Sequence, residues 1–385
     1  MGIHLGIDAS NIRQGGGLTH LSRLLEAGDP LSAGIDRISI WANYNTLSEL
    51  PNPPWLNKIN EPWLESNLAS RLIGQQFRLP FSLRANGCDV LFSPGGTIPV
   101  LSFIKCVTIS QNMLPFEPCR AKLFGRWSWM RAKMFLLRAS QSKSFLRADG
   151  LIFLTDYART AIKSKLRKFK SPTVLIPHGI EPRFLQKPCK KRCFSNCSLK
   201  SPFRFLYVSI MMPYKHQIEV ARAIHVIRSQ GYPVEIQFVG DTFTNYGRSF
   251  KKEILKLDPD HEFIHVLGSK PFNELHSLYQ KADAFIFASS CENLPNILIE
   301  AMASGLPIAS SNRGPMPEIL GGSGIFFDPE RVSSIVGAVK TILGNDGLRL
   351  ELAYSASKKA RKFSWNRCAC ETFRFIAQIV KNKRS

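Results

Sequence analysis

Short apolar runs alternate with longer stretches of helical periodicity throughout the sequence. The runs are rich in β-branched and aromatic residues, which is typical of strands. Strands that alternate with helices predict parallel sheets with helices on both faces, here in two successive doubly wound α/β units. The predicted strands are GIHLGID, RISIWAN, DVLFSP, CVTIS, GLIFLT, TVLIP, RFLYVSI, EIQFVG, FIHVLG, AFIFAS and LPIASS.

The length also indicates two domains, because 385 residues exceed the size at which a single core stops growing. The periodicity is interrupted by a Lys-, Cys-, Ser- and Pro-rich stretch, which predicts a linker at 186–202. We therefore expect an N-terminal domain over 1–185 and a C-terminal domain over 203–364, with a cleft between them. The helical pattern over 365–385 could complete either domain.

The charge, hydropathy and cysteine content indicate the cellular compartment in which the protein is expected. The net charge is +22, and the first 200 residues hold 28 Lys and Arg against 12 Asp and Glu, so most of the excess lies there. The sequence shows no secretory signal pattern and no apolar run of about 20 residues, which a bilayer span needs. Nine cysteines suit a reducing compartment. The spacing of Cys189, Cys193 and Cys197 matches no usual zinc pair, so we expect no metal there. From the signal pattern, hydropathy and cysteine content together, we expect a cytoplasmic protein that is at most peripheral to a membrane.

Candidate chemistry lies directly after predicted strands, where parallel sheets bind ligands. Gly15–Gly17 follow the first strand and lead into a helix, so they could let a phosphate approach the backbone, or form only a turn. Lys215 follows RFLYVSI and could neutralise a diphosphate, although a solvated surface lysine is the simpler interpretation. Glu292 follows AFIFASS, and a helix is predicted to begin near Asn296, which puts Glu300 inside it.

The order and spacing of these motifs are specific. Glu292 and Glu300 form E-x7-E ahead of EAMASGLPIASSNRGPMPEIL, and GGGLTHL, DVLFSPGG, ADGLIFLTDYART, VLIPHGI, YVSIMMPYKHQ and FSWNRC stand in sequence around them. The chain thereby resembles the retaining glycosyltransferases of the GT-B fold in the large family-four group, which includes bacterial polysaccharide and O-antigen-type enzymes.

The resemblance implies a role for each matching position. Glu292 would lie beside the donor sugar, Glu300 would accept hydrogen bonds from the ribose, and Lys215 would bind the diphosphate. Glu292 and Lys215 are thus the candidate catalytic residues, with no metal or other cofactor and with a UDP-, GDP- or ADP-sugar as donor. The candidate donor-binding residues are Gly16, Gly17, Lys215, Asn293, Leu294, Pro295, Asn296 and Glu300.

The sequence departs from the family pattern at three places that are expected to contact the donor or the acceptor. Ile210 stands where many relatives have an Arg, so one positive charge on the diphosphate is missing or comes from elsewhere. Residues 293–296 replace a common glycine-aromatic-glycine segment. Gln111 and Asn112 replace a His-Asp pair, so they could hydrogen-bond a sugar hydroxyl of the acceptor but could not act as a base.

A basic helical segment follows Asn112. Leu123, Trp127, Met130, Met134 and Leu137 form one apolar stripe at helical spacing, which could lie in an anionic membrane interface or pack on the N-terminal core. The excess charge of the N-terminal half favours the membrane and a lipid-linked acceptor. The residues predicted to face the membrane are Arg126, Trp127, Arg131, Lys133 and Arg138.

Together these features predict an enzyme that transfers a hexose from a nucleotide sugar to a hydroxyl of a saccharide, with retention of configuration, on the inner face of the cytoplasmic membrane. Front-side attack is favoured, and a double displacement with Glu292 as nucleophile stays open. The alternatives are an epimerase or phosphorylase of the same fold, or a non-enzymatic protein that binds an anionic surface. Paired glutamates disfavour a nucleic-acid partner, because an anion-binding surface gains nothing from them.

Overall fold

A computed structural model describes residues 2–118, 122–125, 128–166, 169–188 and 192–382. The chain divides into two compact units. The first consists of Met1–Phe116, Trp127–Gly179 and Phe363–Ser385, and the second of Glu117–Arg126 and Ile180–Lys362. The division after Gly179 precedes the predicted linker at 186–202. Its physical cause is that the segment after Gly179 already packs in the second unit, where Phe184 meets Tyr279 edge-on at 5.7 Å and Gln186 N–H donates to the Ala303 carbonyl at 2.9 Å.

The first unit contains a seven-stranded parallel sheet in the order β3-β2-β1-β4-β5-β6-β7. Its strands are almost wholly buried in the centre, as expected for a sheet covered on both faces. The strands are β1 Ile3–Asp8, β2 Ile35–Trp41, β3 Leu56–Ile59, β4 Val90–Ser93, β5 Lys105–Ser110, β6 Gly150–Phe153 and β7 Thr173–Leu175.

Helices of the first unit cover this sheet. The last of them returns from the C-terminus and packs against α1, with the Phe373 ring beside Gly28. These helices are α1 Gly16–Ala27, α2 Tyr44–Ser48, α3 Pro62–Glu65, α4 Leu68–Phe77, α5 Leu79–Ala85, α6 Trp129–Arg147, α7 Asp156–Lys163 and, at the C-terminus, α15 Trp365–Lys381.

The second unit contains a six-stranded parallel sheet in the order β10-β9-β8-β11-β12-β13. Its strands are β8 Phe203–Val208, β9 Val234–Val239, β10 Ile264–Val266, β11 Ala284–Phe287, β12 Ile308–Ser311 and β13 Ile325–Phe327. Its helices are α8 Gln217–Ser229, α9 Asn245–Leu257, α10 Leu275–Lys281, α11 Asn296–Ala303, α12 Met316–Leu320, α13 Val332–Gly344 and α14 Asp346–Ala360.

The predicted doubly wound architecture is confirmed, but two strands had no counterpart in the sequence prediction. Both missing strands, β3 and β13, lie at an edge of their sheet. β3 reads LNKI and β13 has only three residues, and most of their side chains are half-buried or exposed. An edge strand needs no continuous apolar run, so neither produced the signal that marks the central strands.

Among the helices that the structure describes, none combines the length and the apolar character needed to cross a bilayer.

Candidate functional site

The second sheet has a topological switch point between β8 and β11. The chain moves outward in one direction through β9 and β10 and in the other through β12 and β13. Ligands of doubly wound sheets bind beyond the carboxyl ends of the strands at such a point. Lys215 follows β8 and Glu292 follows β11, so the two strands flanking the switch point each supply one charged side chain.

Lys215 and Glu292 form an ion pair through Nζ and Oε1. Lys215 is buried and Glu292 is half-buried, so the pair is largely shielded from water. The hydroxyl of buried Tyr207 donates to the Lys215 carbonyl and fixes the backbone at this point. The Tyr207 hydroxyl therefore fixes the backbone of Lys215, and the Lys215 ammonium group contacts the Glu292 carboxylate.

The two strand-end loops are bonded to each other. The Ser290 N–H donates to the Tyr214 carbonyl at 2.8 Å, and the Ser290 hydroxyl lies 2.8 Å from His216 Nε2. His216 has a φ of 53°, a left-handed conformation that turns the chain into α8. The loop after β12 also approaches, because a Cβ on Gly314 would lie 3.9 Å from the Glu292 backbone nitrogen. Three adjacent strands thus contribute to one site.

Glu300 lies inside α11, as predicted, and is buried. The Tyr279 hydroxyl donates to its Oε2 at 3.0 Å. Burial raises the pKa of Glu300 from 4.5 to about 8, because desolvation disfavours the carboxylate more than the Tyr279 hydrogen bond stabilises it. A ligand whose hydroxyl groups donate to this carboxyl would favour its ionised form.

The four residues between Glu292 and α11 adopt a compact turn. Asn293, Leu294 and Pro295 are buried and Asn296 is half-buried. The N-cap residue of α11, Pro295, makes no side-chain capping hydrogen bond. The start of α11 follows β11 at the switch point, where the positive end of a helix suits an anion.

In the first unit, the structure brings Gly17 and Gln111 together. A Cβ on Gly17 would lie 3.9 Å from Gln111 Oε1, whereas one on Gly16 would meet no atom within 4 Å. Gln111 follows β5 and Gly16–Gly17 open α1, so both stand at the carboxyl edge of the first sheet. Asn112 is exposed, and its Oδ1 accepts the Leu114 N–H at 3.0 Å.

Two stacked histidines, one of which contacts Gln111, were not among the residues predicted from the sequence. His20 Nδ1 lies 3.0 Å from Gln111 Nε2, and the His20 ring stacks on His178 with centroids 4.4 Å apart. Burial, assisted by His178, lowers the pKa of His20 well below its usual 6.5, so its ring is neutral near pH 7. His20 lies in α1 one helical turn past Gly17, and His178 follows β7, so the strand-end position of His178 was the available signal.

The predicted membrane-facing stripe requires a correction. Leu123 lies outside α6, which begins at Trp129, and Met134 is buried, because this side of the helix packs on the core through Phe145 and Phe116 at 5.7 Å. Of the predicted membrane-facing residues, Lys133 is exposed and Arg131 and Arg138 are half-buried, whereas Arg126 and Trp127 lie outside the described residues. The exposed apolar side chains of α6 are Trp129, Phe135, Leu136 and Leu146.

Within the described ranges, no three His, Cys, Asp or Glu side chains are grouped so that they could hold a metal ion. At the carboxyl edge of the second sheet, Lys215 and the N-terminus of α11 supply positive charge. These groups suit the neutralisation of a diphosphate.

Comparison with known sequences agrees with this geometry. Residues 194–363 match the family model of glycosyl transferases group 1. An O-antigen chain mannosyltransferase B from Escherichia coli is 26% identical over 171 residues, which are 43% of this chain and 44% of that protein. The chain spans 25–57% of the lengths of this and two further curated relatives.

Solved structures share the fold at low identity. A sucrose-phosphate synthase from Thermosynechococcus elongatus has a TM-score of 0.73 at 15% identity, covering 98% of this chain and 99% of that one. The Anabaena protein HepE, solved in complex with UDP-glucose, has a TM-score of 0.68 at 15% identity and covers 98% of both chains. Residues 194–363 thus resemble the group 1 glycosyl transferases, and the chain as a whole has the GT-B fold.

Proposed function

We propose that this chain transfers a hexose from a nucleotide diphosphate sugar to a hydroxyl group of a saccharide acceptor, with retention of the anomeric configuration. The observation that carries the proposal is the Lys215–Glu292 ion pair at the switch point of the second sheet. A buried cation beside a carboxylate suits a reaction in which a diphosphate leaves while positive charge develops on the sugar.

The donor would be held by its nucleotide and its phosphates. Glu300 would accept hydrogen bonds from the ribose hydroxyl groups, and Gly16 and Gly17 would allow close approach of the backbone to phosphate. Lys215 and the N-terminus of α11 would stabilise the diphosphate as it leaves. We propose that no metal ion takes part, and activity that survives EDTA is the expected result.

The favoured chemical step is front-side attack. The acceptor oxygen forms its bond to the anomeric carbon on the face from which the diphosphate departs, and the acceptor proton passes to a departing phosphate oxygen. Glu292 would stabilise the oxocarbenium-like carbon electrostatically. Its ion pair with Lys215 supports this role over covalent attack, because a carboxylate engaged by an ammonium group is a weaker nucleophile.

The acceptor is proposed to be a lipid-linked saccharide at the inner face of the cytoplasmic membrane, in cell-surface polysaccharide or lipopolysaccharide synthesis. Support comes from the likeness to an O-antigen chain mannosyltransferase and from the basic α6 with its exposed Lys133, Trp129 and Leu136. Gln111 and Asn112 would hydrogen-bond the acceptor sugar. Neither amide can accept a proton at neutral pH, which fits proton transfer to the phosphate.

A panel of UDP, GDP, ADP and their hexose derivatives in a thermal-unfolding assay tests the donor proposal. A ligand at 100 times its dissociation constant adds about 2.7 kcal/mol of stability, which is readily measured. One nucleotide should stabilise the protein, and NMR of the product should show the donor's anomeric configuration. Failure of all nucleotides would refute a glycosyltransferase, whereas isomerised sugar formed without acceptor would indicate an epimerase.

A further inference from the structure

The outward half of α4 is apolar. Leu68, Leu72, Ile73 and Phe77 are 44–60% exposed although they are large hydrophobic residues. At 3.6 residues per turn, their positions fall within one half of the helix circumference. The one polar residue on that half, Gln76, is engaged by the neighbouring loop, because its Oε1 accepts the Val100 N–H at 2.7 Å.

The inward half of α4 is small and polar. Gly74 packs so closely on Trp63 that a Cβ would lie 2.2 Å from the indole ring. The amide of Gln75 is buried and hydrogen-bonds to the carboxyl group of Asp8. A surface helix of a globular protein has the opposite arrangement, with its apolar stripe towards the core. Burial in the first unit therefore does not explain the apolar residues of α4.

The apolar surface continues beyond α4. Phe81 of α5 and Phe103 have ring centroids 5.5 Å apart, and both are exposed, as are Val100 and Leu101. We call this surface the α4 patch; it consists of Leu68, Leu72, Ile73, Phe77, Phe81, Val100, Leu101 and Phe103. Contiguous exposed apolar surface of this kind marks a docking site, whereas the large exposed hydrophobic residues of the second unit stand singly in the sequence.

The surroundings of the α4 patch are positively charged. The sequence has no Asp or Glu over residues 66–88 or 90–116, which contain the whole patch. Arg78 and Arg84 are exposed, and the Arg84 guanidinium lies 5.4 Å from the Phe103 ring centroid. Arg147 donates to the Val100 carbonyl and adds a third cation at the same edge. A partner must therefore offer an apolar region that these side chains can enter, together with negative charge at its surface.

We propose that the α4 patch inserts into the interface of an anionic lipid bilayer. Its aliphatic and aromatic side chains would enter the acyl boundary while Arg78, Arg84 and Arg147 meet the headgroups. A second copy of this chain is a poorer occupant, because a symmetric dimer through the patch would oppose these cations. This membrane site would bring the enzyme to its acceptor, and it rests on the proposed function only in that the acceptor is lipid-linked.

Vesicle flotation with the full chain tests the proposal. Equimolar phosphatidylcholine and phosphatidylglycerol vesicles should carry the wild-type protein, whereas pure phosphatidylcholine should carry little. The double variant Ile73→Gln, Phe77→Gln should bind at least about tenfold more weakly, since two exposed apolar anchors are lost. The matched control is Leu255→Gln on α9, which removes a similarly exposed helical leucine and should float as wild type.

The charged rim is tested separately. Arg78→Gln with Arg84→Gln should lose binding to the mixed vesicles by roughly tenfold, and added salt should weaken the wild type in the same way. All these side chains are exposed, so unfolding midpoints should stay unchanged. Stabilisation by the nucleotide should also stay unchanged, which separates failure here from failure of the proposed function.

Three outcomes would overturn the proposal. The first is that wild-type protein does not float with anionic vesicles, and the second is that the Ile73→Gln, Phe77→Gln variant floats as well as the Leu255→Gln control. The third is a lipid-free dimer that light scattering detects and the patch variant dissociates, which would assign the surface to a second copy.

Discussion

Replacement of Glu300 by Gln should remove a pH dependence from the stability of the free protein. Burial raises the pKa of Glu300 from 4.5 to about 8 in the folded chain. Between these values the folded state keeps a proton that the unfolded state has lost, so folding becomes less favourable as the pH rises from 4.5 towards 8 and levels off above 8. The Gln variant is neutral throughout and has no such slope.

The magnitude follows from the size of the shift. The interval from 4.5 to about 8 spans about 3.5 pH units, and at 1.36 kcal/mol per unit the cost is at most about 5 kcal/mol. A change of 1 kcal/mol moves the midpoint of a domain of 150–250 residues by roughly 2–4 °C, so the effect is at most about 10–20 °C. Tyr279 can still donate to the amide oxygen of Gln, which limits any loss of packing.

Thermal unfolding at a series of pH values from 5 to 9 measures this effect. Wild type and Glu300→Gln should have similar midpoints near pH 5, and the variant should become progressively more stable by pH 8. Glu351→Gln, at an exposed position on α14, is the control. A constant difference in midpoint between Glu300→Gln and wild type at every pH would show that folding does not raise the pKa of this carboxyl group.

The donor site and the fold give further predictions. Lys215→Ala should lower turnover by about 10²–10³-fold, since a charge on the leaving diphosphate is lost; unchanged turnover in a transfer assay would exclude this role. Ile210→Arg, at an exposed position two residues after β8, should tighten nucleotide binding severalfold by calorimetry, and weaker binding would contradict a diphosphate at that strand end. Gly240→Ala should destabilise the chain by at least about 3 kcal/mol, because Gly240 has a φ of 149° and its Cβ would lie 1.8 Å from the Ser209 carbonyl oxygen. Gly231→Ala, with a φ of 86° and open space around it, is the control and should cost only about 1 kcal/mol in denaturant unfolding.

The sequence predicted those features that depend on local pattern. Central strands are buried on both faces, so their apolar runs were visible, and the start of α11 at Asn296 followed from Pro295 and the helical period after it. Because parallel sheets bind ligands beyond the carboxyl ends of their strands, Lys215 and Glu292 could be singled out as residues that follow strands. Their ion pair joins residues far apart in sequence, and no local pattern encodes which loops meet.

Other features could not be predicted from the sequence, because helical periodicity does not show which side of a helix packs on the core. The stripe containing Met134 had the spacing of a membrane face, yet it packs inward, whereas the outward half of α4 is the apolar one. The raised pKa of Glu300 depends on burial among residues from several elements and could not be read from the sequence. The same holds for the contact of His20 with Gln111 and His178.

The role of Glu292 in sugar transfer is measured by the transfer of labelled hexose from UDP-, GDP- and ADP-hexoses to a lipid extract, by wild type and by Glu292→Gln. Wild type should use one of these donors, and Glu292→Gln should lower turnover by about 10²-fold while the affinity for the nucleotide stays within a few-fold. Full turnover by Glu292→Gln, or a wild type that neither binds a nucleotide nor forms product, would contradict this role.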